Sequence, residues 1–246
     1  MEQKAPAKLS KIPIIEAIFE VRFSPATEGA GDVLVGLLYS GFPAYSKVIA
    51  LPAAAIPRDA RDRDPNLRYQ PSHQLAGEKN RIQIGDRVVS LSEGAPYGGW
   101  KTFRSQILTL IAAVKATNLV GSVERYSLKY VNLIEAEAGK QLSLINGKFE
   151  IAGAPANEQG FRFRTELVSD GFTSIIEIFP GAVVQIAAPA GSKSGILVQV
   201  DGIRMSSPED IWQDAAPRLD ELHQRVKTLF FSTLTKDTID TLGPIW

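Results

Sequence analysis

The stretch that decides the fold is Ile14–Phe23, which reads IIEAIFEVRF. Apolar residues alternate in it with mostly charged ones, in the order Ile15, Ala17, Phe19, Val21 and Phe23 against Glu16, Ile18, Glu20 and Arg22. Successive side chains of a β-strand point to opposite faces, so this alternation predicts a strand with one face in the core and one polar face. The charges on the polar face make it a candidate functional surface.

The remainder of the first half predicts short antiparallel strands between two helices. The helices are expected at Asp32–Ser40, closed by Gly41, and at Gly99–Thr117, where apolar residues recur three and four positions apart. The short strands are expected at Leu67–Leu75, Arg81–Ile84 and Val88–Leu91. A long strand is predicted at Val120–Ile134, with Arg125, Ser127 and Lys129 on one face and Tyr126, Leu128, Tyr130, Asn132 and Ile134 on the other.

The second half repeats the order of strands and then a helix. Strands are expected at Phe161–Val168, Ser174–Phe179, Ala182–Ala187 and Ile196–Ile203, with a turn at Pro180-Gly181. A helix is expected from Ser207-Pro208 to about Thr233, and Pro217 is expected to kink or restart it near Ala216. The predicted class is α+β, a large curved antiparallel sheet with amphipathic helices packed on one face. Two domain organisations are compatible with this pattern. The chain could form two similar halves, 1–135 and 161–246, with a linker or hairpin region at 136–160, or it could form one integrated domain.

Composition excludes several kinds of site. The 246 residues contain 27 basic and 27 acidic side chains, no cysteine, and two histidines, His73 and His223. The lack of cysteine removes disulfides, thiolate nucleophiles and cysteine-bound zinc, and two histidines cannot build a three-histidine metal site. A chain of zero net charge has no overall attraction to nucleic acid or to an anionic membrane. No apolar run reaches the roughly 18 residues of a membrane span, so we expect a cytoplasmic protein without a membrane partner.

Nucleotide-binding and hydrolase motifs fail on inspection. Gly29-Ala30-Gly31 lacks the third glycine of a dinucleotide fingerprint, and Gly191–Ser194 lacks the Gly-Lys step of a phosphate loop. The chain has no G-x-S-x-G elbow and no H-E-x-x-H helix. We therefore expect no cofactor and no metal centre. Arg58–Asp64, RDARDRD, is either a phosphate-binding arginine cluster or, as its cancelling charges favour, a solvated loop.

Three segments resemble the motifs of a known family. Pro13–Phe23 resembles an N-terminal P-I-x-E-A-x-x-E-x-R-F motif, and Arg125–Asn132 resembles a central R-x-x-L-R-Y-x-N motif with Lys129 in place of the arginine. The C-terminal pattern is matched by Leu222-His223, Phe230 or Phe231, Thr235 and Trp246. The family is a sporadically distributed group of bacterial and archaeal proteins of about this length with no assigned activity. Such a distribution is typical of horizontally mobile genes, including defence modules, which is an association and not a mechanism.

The charged residues in the strands support three functional hypotheses. The first is a soluble, non-catalytic binding or assembly module, whose polar sheet face recognises a protein partner or a second copy, or holds the sheet together. That face is assigned to Glu16, Glu20, Arg22, Arg125, Lys129 and Asn132, which also carry the family resemblance. The second is an enzyme that uses Glu16, Glu20 and Glu177 as acid/base groups or as ligands of Mg²⁺ or Mn²⁺.

The third hypothesis is RNA or DNA binding through strand cations beside aromatic residues. The cations are Arg125, Lys129, Arg162 and Arg164. Zero net charge and the alternation, which puts the aromatic residues on the opposite face, disfavour this hypothesis. A secondary candidate is His223, near Asp220 and Lys227 by helical spacing, as a base or pH sensor. Its alternative is a packed helix residue.

Overall fold

The predicted strands join into one antiparallel sheet in the computed structural model, which describes residues 5–186, 191–205 and 207–246. The described residues form a sheet of nine strands in the order β7-β8-β9-β6-β1-β5-β4-β3-β2. In chain order these are β1 Ile14–Pro25, β2 Lys47–Ala50, β3 His73–Ala76, β4 Asn80–Ile84, β5 Val88–Gly94, β6 Val120–Glu135, β7 Phe163–Ser169, β8 Phe172–Ile186 and β9 Gly191–Arg204. The order is linear, so β7 and β2 are free edges and the sheet is not a closed barrel.

Helices complete the α+β fold, and the predicted class is confirmed. Within the described ranges they are α1 Ala30–Gly41, α2 Arg58–Arg63, α3 Trp100–Ala116, α4 Ala215–Thr233 and α5 Lys236–Thr241. Short 3₁₀ segments lie at Pro52–Ala55, Leu142–Leu144 and Pro208–Trp212. The N-terminal segment is held by pairing of Lys8–Leu9 with Pro244–Ile245. No helix in the described part of the chain is long and apolar enough to cross a membrane.

Strand β1 lies in the middle of the sheet, and its alternation separates two environments. Ala17, Phe19, Val21 and Phe23 are each at most 2% exposed. Phe19 is paired with Leu128 of β6 and with Leu91 of β5, and all three belong to one buried cluster. That cluster also contains apolar residues of α1, α3 and α4. Burial of a side chain of this size contributes about 1.5–3 kcal/mol, so these residues decide which face of β1 is covered.

Helix α4 lies close to β9 because Gly202 has no side chain. A Cβ built on Gly202 would be 2.6 Å from Cγ2 of Val226 and 2.9 Å from Cδ1 of Leu222. Both distances are shorter than the 3.5–4.0 Å of an ordinary carbon contact. The glycine therefore determines how closely α4 approaches the sheet, and with it the position of His223, which follows Leu222.

Three local predictions need correction. The turn predicted at Pro180-Gly181 is a bulge within β8, where the register shifts between Phe179 and Ala182 and Gly181 takes a φ of 72°. The last residue of that predicted strand, Ala187, lies outside the described residues. The strand predicted from Leu67 begins only at His73. Where a helix is expected from Ser207, the chain forms a 3₁₀ segment. Helix α4 begins at Ala215, with Pro217 in its first turn, where the backbone N–H that proline lacks costs least.

The solvated loop expected at Arg58–Asp64 is also wrong, because Arg61 is buried. Residues 58–63 form α2, and Arg61 is 6% exposed. Its Nη2 and Nε donate to Oδ2 of Asp86 at 2.6 and 3.1 Å, and its Nη1 donates to the carbonyls of Ala53 and Ile56 at 2.8 and 2.7 Å. These bonds occupy the guanidinium and join α2 to the turn before β5. The role of Arg61 is therefore structural.

The two halves predicted from the sequence share the one sheet. Strand β6, which belongs to the predicted half 1–135, pairs with β1 on one side and with β9 of the predicted half 161–246 on the other, so the two predicted halves join within the sheet. Helix α3 follows β5, and α4 follows the 3₁₀ segment after β9. The region 136–160 contains a 3₁₀ segment and the hairpin of Glu150–Ile151 with Ala154–Pro155. The similarity of the two halves and their origin by duplication stay predictions.

Candidate functional site

Five of the six predicted site residues lie on the sheet face opposite the buried cluster. The register places Lys129 beside Ile18, and Arg125 beside Arg22. Strand pairing extends this face through β9 and β8 to β7 on one side, and through β5 to β4 on the other. We call it the charged face; its residues are Glu16, Glu20, Arg22, Arg81, Arg125, Lys129, Arg164, Glu177 and Asp201.

Ion pairs join side chains within and between strands across the charged face. Oε1 of Glu20 accepts from Nε of Arg22 at 2.7 Å and from Nη2 of Arg125 at 3.0 Å. Glu16 accepts from Nη2 of Arg81 at 2.7 Å. The carboxylate of Glu177 lies 3.7 Å from Nζ of Lys129 and 3.7 Å from Nε of Arg164. These contacts cross from β7 through β8 to β6 and from β6 through β1 to β4.

The charged face is the inner side of a strongly curved sheet. A cavity of about 450 Å³ lies on it and is lined by Glu16, Arg81, Gln74 and Val184 among others. Gln74 is on β3 and Val184 on β8, six strands apart in the sheet order, which would be about 29 Å in a flat sheet. Both can line one cavity only if the sheet curls toward this face. The side chains of Glu20, Arg22 and Arg125 are accordingly only 21–28% exposed.

Asp201 is the most perturbed group of the charged face. It lies on β9 directly opposite Lys129, and its Oδ1 is buried with no hydrogen-bond partner among the described residues. Burial raises the pKa of Asp201 to about 6, although the charges of Lys129 and Arg125 act in the opposite direction. A carboxyl group that titrates near pH 6 can exchange a proton under ordinary conditions.

The geometry gives no support to the hypothesis of a carboxylate-bound metal. Glu16, Glu20 and Glu177 are each engaged by arginine or lysine. In the ranges that the structure describes, no group of three or more His, Asp or Glu is placed to hold a metal ion. The nucleic-acid hypothesis is weakened as well, because the cations of Arg125, Lys129 and Arg164 are paired with carboxylates.

Asn132 departs from the other five predicted residues, since it lies on the opposite face of the sheet. It is 1% exposed, and its Nδ2 donates to the carbonyl of Val198 on β9 at 3.1 Å. It lines a second cavity, of about 420 Å³, between α4, the start of α3 and the N-terminal segment. We call this cavity the aromatic pocket; its described lining is Pro6–Leu9, Ile12–Ile14, Tyr97–Lys101, Tyr130, Asn132, His223, Val226, Lys227, Phe230 and Phe231.

A chain of hydrogen-bonded rings forms one wall of the aromatic pocket. The hydroxyl of Tyr130 lies 3.0 Å from Nδ1 of His223 and 3.3 Å from the hydroxyl of Tyr97. The imidazole of His223 stacks on Trp100 with ring centroids 4.2 Å apart and an angle of 5° between the planes. Trp100 is fixed in turn, because its Nε1 donates to Asp220 at 2.9 Å. These contacts hold both rings in one orientation.

The ring chain is uncharged at neutral pH. Burial lowers the pKa of His223 to about 4, with a further lowering from the charge of Lys227 and an opposing effect of Asp220. Burial also raises the pKa of Tyr130 well above its usual value. A neutral imidazole has one donor and one acceptor nitrogen, so if Nδ1 accepts from Tyr130, Nε2 carries the proton. The wall then offers hydrogen bonds without a charge.

Glu93 supports the loop that brings Tyr97 and Trp100 to the aromatic pocket. It is fully buried, and its Oε1 accepts from Nζ of Lys79 at 2.6 Å and from the backbone N–H of Gly98 at 3.0 Å. Its Oε2 is buried without a partner. Besides burial, the charge of Glu93 also raises the pKa of Tyr97. This carboxylate therefore anchors residues 97–99, and its charge adds to the effect of burial on the pKa of Tyr97.

Residues from all three motif segments meet at the aromatic pocket. Pro13 and Ile14 come from the first, Tyr130 and Asn132 from the second, and His223, Phe230 and Phe231 from the third. The sequence analysis identified Asn132 and His223 but missed Tyr97 and Trp100. Their segment, PYGGW at 96–100, carries no pattern beyond a turn before a helix, so only their position in space reveals them.

No protein-family model matches the chain, and no curated protein matches it.

Proposed function

We propose that the protein is a non-catalytic binding module that holds a small, mostly apolar ligand in the aromatic pocket. The observation that carries the proposal is the uncharged chain of Tyr97, Tyr130 and His223 in a pocket whose other lining is mostly apolar. Polar groups in such a wall cost desolvation, and apolar cavities with a few fixed polar groups are the usual form of small-molecule sites. The volume of about 420 Å³ is in the range of such sites.

The family resemblance adds support of a different kind. If the motifs identify the family, several motif residues line the aromatic pocket, in addition to those that pack in the core. Membership of that family and an unknown protein partner stay proposals. On this proposal the charged face does not bind a partner. Its charges are already paired with one another, so its role is to hold the curved sheet together.

The proposal is tested by calorimetric titration with three amphiphiles of equal chain length: decanol, decanoate and decylammonium. Ala7 is exposed and lines the aromatic pocket, so Ala7→Trp fills the pocket without disturbing the core. Ala112→Trp is the matched control, since Ala112 is exposed on α3, about 18 Å along that helix from Trp100. Binding of at least one amphiphile that is lost in Ala7→Trp and kept in Ala112→Trp is expected. The absence of binding by all three, or binding that survives Ala7→Trp, overturns the proposal.

A further inference from the structure

We infer that the ligand of the aromatic pocket is an amphiphilic anion, with an acidic head group at Lys227 and an apolar body against the aromatic residues of α4. This inference rests on the proposed function and adds the chemical class of the ligand.

The charges at the aromatic pocket have a single sign. Its described lining contains three lysines, Lys8, Lys101 and Lys227, and no aspartate or glutamate. Elsewhere the lysines that form ion pairs are Lys79, Lys129, Lys140, Lys148 and Lys193. No carboxylate of the described residues forms such a pair with the three pocket lysines. In a chain of zero net charge, the pocket is therefore a local site of uncompensated positive charge.

Lys227 is the lysine best placed to receive the head group. It is partly buried on α4, and its Nζ has one bond within the described residues, to the carbonyl of Ala7 at 3.4 Å. An ammonium has three N–H donors, so two are available to an anion. Burial lowers the pKa of Lys227, and an anion that bound there would offset this cost.

The apolar body of the ligand has its own surface one turn further along α4. Phe230 and Phe231 follow Lys227 by three and four residues, which puts all three on one side of the helix. Val226 and Ile14 extend this apolar wall. A head group at Lys227 and a chain along the phenylalanines therefore match the arrangement of charge and apolar surface.

The acidic residues nearest to Lys227 on α4 are directed elsewhere. Asp220 accepts from Nε1 of Trp100 at 2.9 Å and from Nη2 of Arg104 at 2.7 Å, both on α3. Glu221 lies 3.5 Å from Nη1 of Arg218. His223, four residues before Lys227, is neutral, because burial lowers its pKa to about 4. None of these groups compensates the ammonium.

The inference is tested by comparing the three amphiphiles on the whole protein and on Lys227→Met, which is one atom shorter than lysine, unbranched and without a charge. Decanoate is expected to bind about tenfold or more tightly than decanol, and Lys227→Met to lose about tenfold of the decanoate affinity with that of decanol unchanged. Lys236→Met is the matched control, because Lys236 is exposed on α5 and does not line the pocket. Added salt should weaken decanoate binding alone.

The outcomes separate the inference from the proposed function. Decanol or decylammonium binding as tightly as decanoate, or decanoate binding unchanged in Lys227→Met, overturns the inference and leaves the proposed function standing. No binding of any amphiphile overturns both. Lys227→Gln serves in place of Lys227→Met if the melting curve shows that the methionine variant is not folded. Decyl phosphate in a further titration distinguishes a phosphate head group from a carboxylate, which share the inferred chemistry.

Discussion

The contact between Gly202 and α4 predicts the effect of a single methyl group on both stability and the candidate site. In Gly202→Ala the new Cβ would be 2.6 Å from Cγ2 of Val226 and 2.9 Å from Cδ1 of Leu222. These contacts are about 1 Å too short, and overpacking of this kind costs about 1–3 kcal/mol. Alanine regains about 0.5–1 kcal/mol over glycine in a strand, so we expect a net loss of about 1 kcal/mol, and at most about 2.5 kcal/mol.

Urea unfolding followed by circular dichroism measures this loss, and the melting temperature should fall by about 3–6 °C for a chain of this size. The matched control is Gly36→Ala in α1, where nothing lies within 4 Å of a built Cβ. Since both changes alter the unfolded chain in the same way, Gly36→Ala should gain about 0.5–1 kcal/mol and the difference reports the contact.

The same variant tests the link between packing and the aromatic pocket. If α4 moves away from β9 to relieve the overlap, the 3.0 Å contact between Tyr130 and His223 lengthens. Weaker binding of any pocket ligand to Gly202→Ala than to Gly36→Ala is therefore expected. If Gly202→Ala is as stable as the unmodified protein, or binds as tightly, the argument that this glycine positions α4 is refuted.

Three further predictions concern ionisable groups. Burial raises the pKa of Asp201 from 3.8 to about 6, so between these pH values the folded state binds more protons than the unfolded state. The free energy of unfolding therefore falls as the pH rises from about 4 to 6. Asp201→Asn removes this effect and should be more stable than the unmodified protein between about pH 4 and 7, by up to about 3 kcal/mol. His223, with its pKa lowered from 6.5 to about 4, acts in the opposite sense, so His223→Phe should reduce the loss of stability on acidification between pH 6.5 and 4. Urea titrations across this pH range check both, and parallel curves for a variant and the unmodified protein would contradict the corresponding pKa. On the charged face, Glu20→Gln should lower the free energy of unfolding by about 1–2 kcal/mol, because it leaves two half-buried arginines without their carboxylate. The control Glu166→Gln removes an exposed ion pair and should lower it by less than about 0.5 kcal/mol. Equal losses for the two variants in urea unfolding would contradict the role assigned to this face.

Much of the sheet could be predicted from the sequence, because strand alternation is a local property. The alternation of Ile14–Phe23 identified the buried side of β1, and the same pattern placed Arg125 and Lys129 away from the core. The bulge at Pro180-Gly181 could not be predicted in this way. Pro-Gly is also a strong turn signal, and only pairing with β9 on both sides of it shows that β8 continues.

The candidate site could be predicted only in part. His223 was identified because histidine is rare in this chain, and Asn132 because it lies in a motif. The sequence did not predict that Asn132 and His223 line the same pocket. A polar residue in a strand can lie on either face of the sheet, and the motif that contains Asn132 has residues on both faces. Tyr97 and Trp100 have no local signal, and Lys227 appeared only as a neighbour of His223.

The sequence by itself determined the α+β class, the two faces of its central strands and the exclusion of cysteine and histidine-rich sites. Each of these follows from residue types and short periodicities, which do not depend on distant contacts. The tertiary structure decided that the charged residues pair with one another and that Tyr130 meets His223, 93 residues away, at an apolar pocket with only lysine charges. Those facts depend on how closely α4 approaches β9 and how far the sheet curls, and both are set by packing between segments that are far apart in the chain.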